Sequence, residues 1–141
     1  MNDRQVGLQS FRQKRRRASG EVGQEIVRLE MRRRRFKMVE AVHTPWRVVR
    51  KMGRIVGAFP VEKVSGDFIA VGENGRKVLV EVKSRETGNL PWSAFEDHQV
   101  AALSENVSVG GLSIVAWVQG TTVKFYHWPI QDFGPGKSMK W

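Results

Sequence analysis

The chain contains no cysteine, and it has only three histidines among 141 residues. The lack of cysteine excludes a disulfide framework, thiol catalysis and cysteine zinc sites, and it fits an intracellular setting. His43 and His127 have no ligand-type partners nearby in the sequence, which disfavours a histidine zinc site. No apolar stretch reaches the length of a membrane span, and the first residues lack the apolar region of a signal peptide. We therefore expect a cytoplasmic protein without a membrane segment.

Acidic residues are scarce relative to basic ones. The chain has 24 Lys and Arg against 14 Asp and Glu, a formal net charge of +10. Residues 1–54 hold 16 of these 24 basic residues, including the runs Lys14-Arg15-Arg16-Arg17 and Arg32-Arg33-Arg34-Arg35. Such clusters are typical of proteins that bind polyanions, with a strong dependence on salt. The alternative is that the basic runs serve only solubility.

Two of the few acidic residues lie where hydrophobic runs predict buried strands. Asp67 enters the run Phe68–Val71, and Glu81 and Lys83 close the run that begins at Lys77. Burying these charges at strand ends is costly unless they share a task, and holding a divalent cation is such a task. The alternative is a solvated pair on a strand edge, with Asp67 as a turn residue.

The spacing of these residues favours a metal site. The intervening Asn-Gly at positions 74 and 75 predicts a hairpin that brings Asp67 near Glu81. Side chains alternate along a strand, so we expect Glu81 and Lys83 on one side. Two carboxylates and the backbone carbonyl of Val82 are oxygen ligands of the kind that Mg²⁺ or Mn²⁺ takes. Lys83 would orient or deprotonate a water, or stabilise charge on a phosphate, in metal-assisted phosphodiester hydrolysis.

The remaining sequence predicts one α/β domain over residues 20–133. Residues 1–19 are expected to form a basic flexible arm, and residues 134–141 a loosely ordered tail. A second helix is expected from a cap at Ser93 to about Ser104. The predicted strands are 37–42, 47–52, 55–59, 68–71, 77–83, 111–118 and 122–128. This order predicts a central mixed β-sheet with a helix on each face.

The first helix is predicted over residues 21–35. Its helical spacing places one stripe of residues together, namely Val22, Ile26, Leu29 and Arg33. Glu25 adjoins that stripe, near enough to the core to reach a metal at its edge, and Glu21 is the competing candidate one turn earlier. The alternative for Glu25 is an ordinary exposed acid that pairs with a nearby arginine.

The motif of Gly66-Asp67 with Glu81-Val82-Lys83 resembles that of the PD-(D/E)XK nucleases. More specifically, the chain resembles the RecU-type Holliday junction resolvases from about Gly20 to Phe133. The elements that carry this resemblance are, in order, a helix with Glu25, Thr44-Pro45, Leu90-Pro91, His98-Gln99, a Gly110-Gly111 strand and an aromatic strand ending at Pro129. The chain is short for that family, and the segment before Asp67 is small for its protruding stalk.

The resemblance implies a restriction-endonuclease-like core and a homodimer that makes paired symmetric nicks in four-way DNA junctions during recombination and repair. It implies Mg²⁺ or Mn²⁺ held by Asp67, Glu81, Val82 and Glu25, with Gln99 orienting the attacking water or contacting a phosphate. His98 is a weaker candidate for a general base. The resemblance implies that the enzyme acts on DNA of the nucleoid. The sequence does not distinguish a cellular from a phage origin.

The basic residues expected to contact DNA are Lys14, Arg15, Arg16, Arg17, Arg32, Arg33, Arg47, Arg50, Lys51, Arg54 and Arg85. The stretch that follows Trp46 is interpreted as a shortened stalk or DNA-facing hairpin, although Trp46 could equally fill the core beneath a surface hairpin. Three other functions stay open: another PD-(D/E)XK nuclease, a DNA-binding module without catalysis, and a basic structural protein of a ribosome or nucleoid.

Overall fold

The computed structural model describes residues 20–43, 46–60 and 66–141, with the backbone alone for residues 46, 47, 59 and 60. The elements in chain order are α1 (residues 20–33), β1 (Lys37–Ala41), β2 (Trp46–Lys51), β3 (Arg54–Pro60), β4 (Phe68–Val71), β5 (Lys77–Arg85), β6 (Leu90–Pro91), α2 (Asp97–Ser108), β7 (Leu112–Gln119), β8 (Thr122–His127) and β9 (Ser138–Met139). The predicted arm of residues 1–19, with Lys14, Arg15, Arg16 and Arg17, lies outside the described residues, as do Thr44 and Pro45.

A five-stranded sheet organises the domain, with strand order β1-β4-β5-β7-β8. Strands β5 and β7 are parallel, whereas the other neighbouring pairs are antiparallel. The central strands β5 and β7 are buried on both faces, which explains why their sequences are almost continuously apolar. The predicted α/β fold with a mixed central sheet and two helices is confirmed.

Each face of the sheet has its own core. Under α1 the fully buried side chains are Val27, Met31, Phe68, Ala70, Val78, Val80, Ile114, Ala116 and Val118. Under α2 the buried side chains are Leu79, Leu90, Phe95, Leu103, Val115, Trp117, Trp128 and Met139. Alternate residues of β5 therefore enter opposite cores, and Glu81 and Lys83 point to the α2 side, as the alternation predicts.

The face that α1 turns towards the sheet differs from the predicted stripe. Val27 and Met31 are fully buried, whereas Val22 and Leu29 are 57% and 58% exposed. The physical reason is Gly23, whose missing side chain leaves room for Ser84 and Val118 of the sheet. A helix can approach a sheet closely only on such a face, and this sets the rotation of α1 about its axis.

Two predicted boundaries near the second helix and the end of the chain are wrong. The α-helix begins at Asp97 after Glu96, because residues Trp92–Ala94 form a separate 3₁₀ turn instead of a capped first turn. The tail after residue 133 is ordered onto the domain. Its strand β9 pairs with β6, and Met139 is buried beside Trp117 and Leu90, which provides the apolar burial that orders it.

Strands β2 and β3 form the predicted hairpin as a separate two-stranded sheet. Their described side chains are exposed, and Met52 at the tip is 96% exposed. The side chains of Trp46 and Arg47 are outside the description, so the two interpretations of Trp46 stay open. None of the helices in the described residues is long and apolar enough to cross a membrane.

We expect Gly23→Val to lower the free energy of unfolding by about 2 kcal/mol, because the new side chain would press against Ser84 and Val118. Urea denaturation measures this change. Gly20→Val is the matched control, since no atom lies within 4 Å of the position where its side chain would begin. Equal losses in the two variants would contradict the close approach at Gly23.

Candidate active site

Asp67 lies where strand β4 begins, beside the last residue of β5 with which β4 pairs. Its backbone N–H donates to the carbonyl of Val80 at 2.8 Å, and its carboxylate oxygen Oδ2 accepts from the N–H of Val82 at 2.7 Å. The carboxylate of Asp67 thus accepts the hydrogen bond that the N–H of Val82 would otherwise donate to a backbone carbonyl of a neighbouring strand. The N–H and C=O of one strand residue point to the same edge, so the Val82 carbonyl lies on the side of Asp67.

Glu81 is 4% exposed, and both of its carboxylate oxygens have donors. The N–H of Gly66 donates to Oε2 at 3.2 Å, and the side-chain amide of Gln99 donates to Oε1 at 2.7 Å. Gly66 has φ +86°, and a side chain there would meet Leu79. Glycine is therefore required at position 66 for the turn that brings its N–H to Glu81.

Lys83 is held by the segment that leads into α2. Its ammonium group donates to the carbonyl of Ala94 at 2.7 Å and to Oε1 of Gln99 at 2.9 Å. The ammonium nitrogen is also 3.6 Å from Oε1 of Glu81 and 4.8 Å from the ring centre of Phe95. The side chains of Asp67, Glu81, Lys83 and Gln99 therefore lie close together, as the sequence predicts.

Gln99 connects the acid, the lysine and the start of α2. Its oxygen accepts from Lys83 and from the backbone N–H of Glu96, the latter at 3.0 Å. These two donors fix the amide orientation, so the NH₂ group must point to Glu81. Glu96 and Gln99 form a capping box, but the usual N-cap residues are Ser, Thr, Asp and Asn, so the sequence did not mark the first residue of α2.

Burial and repulsion raise the pKa values of the two carboxylates. The pKa of Glu81 is raised from 4.5 to about 7, mainly by desolvation and then by the charge of Asp67, against the opposing effect of Lys83. Desolvation also raises the pKa of Asp67, opposed by the hydrogen bond from Val82 and by Lys83. A divalent cation beside this pair would favour both charged forms, so the donor set fits such an ion.

The residue of α1 that reaches this pair is Gln24, which the sequence analysis did not identify. Its side-chain amide donates to Oδ1 of Asp67 at 3.2 Å. Glu25 is directed elsewhere: its side chain is 61% exposed and lies 3.9 Å from Arg28. Glu21 is also exposed. The proposed ligand role of Glu25 stays a prediction without support from this geometry, because the rotation of α1 points Gln24 at Asp67.

Within the described ranges, no group of three or more His, Cys, Asp or Glu side chains could hold a metal ion. This does not conflict with the fit of the carboxylate pair, because Mg²⁺ usually takes only one or two carboxylates and keeps several waters. His98 contacts the carboxylate of Glu96 at 3.1 Å.

The predicted DNA contacts that are described lie in three places. Arg50, Lys51 and Arg54 are exposed on the β2–β3 hairpin. Arg85 ends strand β5, two residues beyond Lys83. Arg32 and Arg33 lie at the end of α1, where Arg33 is bound to Glu30 by hydrogen bonds of 2.9 and 2.7 Å.

Comparison with known proteins leaves the function to be argued from this geometry. The chain matches no model of a protein family, and no curated protein matches it at a significant level.

We expect Glu81→Gln to stabilise the protein increasingly as the pH rises from about 4.5 to about 7. The folded state keeps the Glu81 proton to a higher pH than the unfolded state, so wild-type stability falls across this window. The difference should reach on the order of 3 kcal/mol above pH 7, measured by urea denaturation from pH 4 to 8. Glu105→Gln, an exposed position on α2, is the control. A difference that does not change with pH would contradict the burial of a charged Glu81.

We expect Gln99→Glu to raise the pKa of Glu81 beyond its wild-type value. The new carboxylate can still accept from Glu96 and Lys83, but it replaces the NH₂ donor to Glu81 by a second negative charge. NMR titration of the ¹³C-labelled glutamate carboxyl groups measures the shift. Gln99→Leu removes all three hydrogen bonds and should also lower the unfolding free energy by about 1–2 kcal/mol. An unchanged Glu81 titration in both variants would show that the bridge does not form in solution.

Proposed function

We propose that this protein is a metal-dependent DNA endonuclease with a restriction-endonuclease-like core, and that it resolves Holliday junctions as the RecU-type enzymes do. The observation that carries the proposal is the convergence of two desolvated carboxylates and one lysine at the adjoining ends of β4 and β5. Such a group costs stability, so a functional use of the charges is the simplest physical account of it.

Asp67, Glu81 and the carbonyl of Val82 would hold Mg²⁺ or Mn²⁺. When bound, the ion would supply Lewis-acid stabilisation of charge on the scissile phosphate and a more acidic water. The N–H of Val82 and the amide of Gln24 hold the Asp67 carboxylate from two sides. Gly66 and Gln99 do the same for Glu81, so neither acid has to reorganise when substrate binds.

Lys83 is suited to stabilising negative charge on the phosphate. Both of its short hydrogen bonds are ones that the ammonium group donates, to Ala94 and to Gln99. These bonds fix the position of the ammonium group, which supports an electrostatic role over that of a general base. Gln99 acts through Lys83 and Glu81, and it is therefore a positioning residue.

Charge and shape support a DNA substrate. The net charge of +10 favours a polyanion, and the exposed hairpin carries Arg50, Lys51 and Arg54 around the apolar tip residue Met52. A narrow basic hairpin with an apolar tip is a shape that can enter the open centre of a four-way junction. Paired symmetric nicks need two active sites and hence two copies of the chain.

A second candidate is a restriction-like or repair nuclease that cuts linear duplex. The observation that favours it is the length of the hairpin, whose strands span only Trp46–Lys51 and Arg54–Pro60. A binding module without catalysis would give no reason for the buried pair of Asp67 and Glu81 beside Lys83.

We expect the protein to place paired symmetric nicks in an end-labelled four-way junction in the presence of Mg²⁺, and to leave matching linear duplex intact. Asp67→Asn and Lys83→Met should reduce the rate by about 10²–10⁴-fold, because each removes one charge of the site. Asp132→Asn, at an exposed position, is the matched control.

The alternatives give different gel patterns. Cleavage of duplex as well as junction would retain the metal site and reject junction selectivity. Salt-sensitive binding without cleavage under any divalent ion would reject the nuclease proposal and leave a binding module. EDTA must abolish cleavage, since cleavage that persists in EDTA would exclude the proposed cation.

A further inference from the structure

The sheet places the active-site lysine in one row with a tryptophan and a second lysine. Lys83 of β5 lies opposite Trp117 of β7, and Trp117 lies opposite Lys124 of β8. Lys83 and Trp117 are directed to the α2 side of the sheet. Lys124 is on the same side, because its neighbours Val123 and Phe125 pack against the core under α1. Two strand spacings, about 10 Å, separate the backbones of the two lysines, so the second lysine lies close to the candidate active site.

A partly exposed aromatic ring packs onto this row. The ring centres of Trp141 and Trp117 are 5.1 Å apart with their planes at 87°, and the ammonium nitrogen of Lys124 is 4.4 Å from the ring centre of Trp141. Trp117 is fully buried, whereas Trp141 is 37% exposed. The tail is held in this place by the pairing of β9 with β6, in which Met139 lies opposite Leu90. The ring of Trp141 is therefore fixed by its contacts and still accessible to a ligand.

A further cation lies at the same end of the sheet. Arg85 is two residues beyond Lys83 on β5, so its side chain is directed to the α2 side as well. It lies opposite Gln119, whose side-chain amide donates to the carbonyl of Gly88 at 2.6 Å and holds the loop that leads into β6. The α2 side of the sheet therefore carries three cations and one partly exposed indole ring at the same end.

We propose that Trp141 and Lys124 form a subsite for an unpaired nucleotide of the DNA strand that the active site cleaves, a proposal that rests on the proposed nuclease function. The indole ring stacks on the base, and Lys124 pairs with a phosphate. Every base has a flat π face, so the subsite accepts any unpaired nucleotide without reading the sequence. Base-paired duplex keeps its bases inside the helix. The subsite therefore favours DNA that has an unstacked base close to the cleaved bond.

The present partner of the ring can give way to a base. A lysine over an exposed aromatic ring contributes about two- to fivefold to an equilibrium constant. Stacking of a base contributes about 5- to 150-fold. A base can therefore displace the Lys124 ammonium group from the ring of Trp141, and the freed ammonium group is then available to a phosphate. The flanking cations favour a nucleotide over an apolar protein segment as the occupant.

Binding of short single strands in EDTA tests the subsite separately from cleavage. Fluorescence anisotropy compares a labelled thymidine strand of about eight nucleotides with an abasic strand of the same length. Wild type should bind the thymidine strand about tenfold more tightly or better. Trp141→Leu keeps an apolar side chain against Trp117 but cannot stack on a base, so it should bind both strands equally. Trp141→Phe should keep most of the preference.

Lys124→Met should act differently, because it removes a phosphate contact and leaves the ring in place. It should weaken the binding of both strands and lower the slope of log affinity against log salt by about 0.7. Lys77→Met is the matched control, since Lys77 is exposed at the opposite end of β5, and it should leave the slope unchanged. A slope that is also unchanged in Lys124→Met would overturn the role of Lys124.

Equal binding of the two strands by wild type would overturn the subsite, as would a preference that persists in Trp141→Leu. Either result is compatible with normal cleavage of a junction, so failure of the subsite is distinct from failure of the nuclease proposal. Photochemical cross-linking of wild type needs no variant that must fold. A thymidine strand with one 5-iodouracil should cross-link to Trp141, as identified by mass spectrometry, and cross-links confined to other residues would overturn the proposal.

Discussion

The burial of Glu81 is the constraint on which the rest of the site depends. A carboxylate that is almost fully removed from water needs donors for both oxygens, and they come from two elements distant in sequence. Gly66 supplies one from the turn before β4, and Gln99 supplies the other from the first turn of α2. Lys83 adds a charge at 3.6 Å. The turn, the strand end and the helix start are thereby fixed relative to one another.

One consequence is that the site and the fold share parts. The side-chain oxygen of Gln99 accepts a hydrogen bond from the backbone N–H of Glu96 and so caps the start of α2. The same side chain is also hydrogen-bonded to Lys83 and Glu81. Changes meant to affect chemistry at position 99 will therefore also affect the stability of α2. The raised pKa values of Glu81 and Asp67 express the cost of the arrangement, which a bound cation would offset.

The rotation of α1 about its axis decides two further properties. With Gly23 against the sheet, Gln24 is brought to Asp67 and Glu25 is left in water. The same rotation leaves Val22 and Leu29 on the outward face. Helix α1 therefore contacts the site through Gln24 and leaves two apolar side chains exposed on another face, so a change that rotates the helix would affect both.

The sequence by itself determined strands β1–β5, β7 and β8, the hairpin, and the neighbourhood of Asp67, Glu81 and Lys83, because alternation and turn residues act over short distances. Only the tertiary structure decided which stripe of α1 faces the core, because α1 has two apolar stripes of similar strength, Val22 with Leu29 and Val27 with Met31. Periodicity cannot choose between them. The choice depends on how closely Gly23 lets the helix approach Ser84, a contact between residues 61 positions apart. The order of residues 134–141 was decided in the same way, by the pairing of β9 with β6.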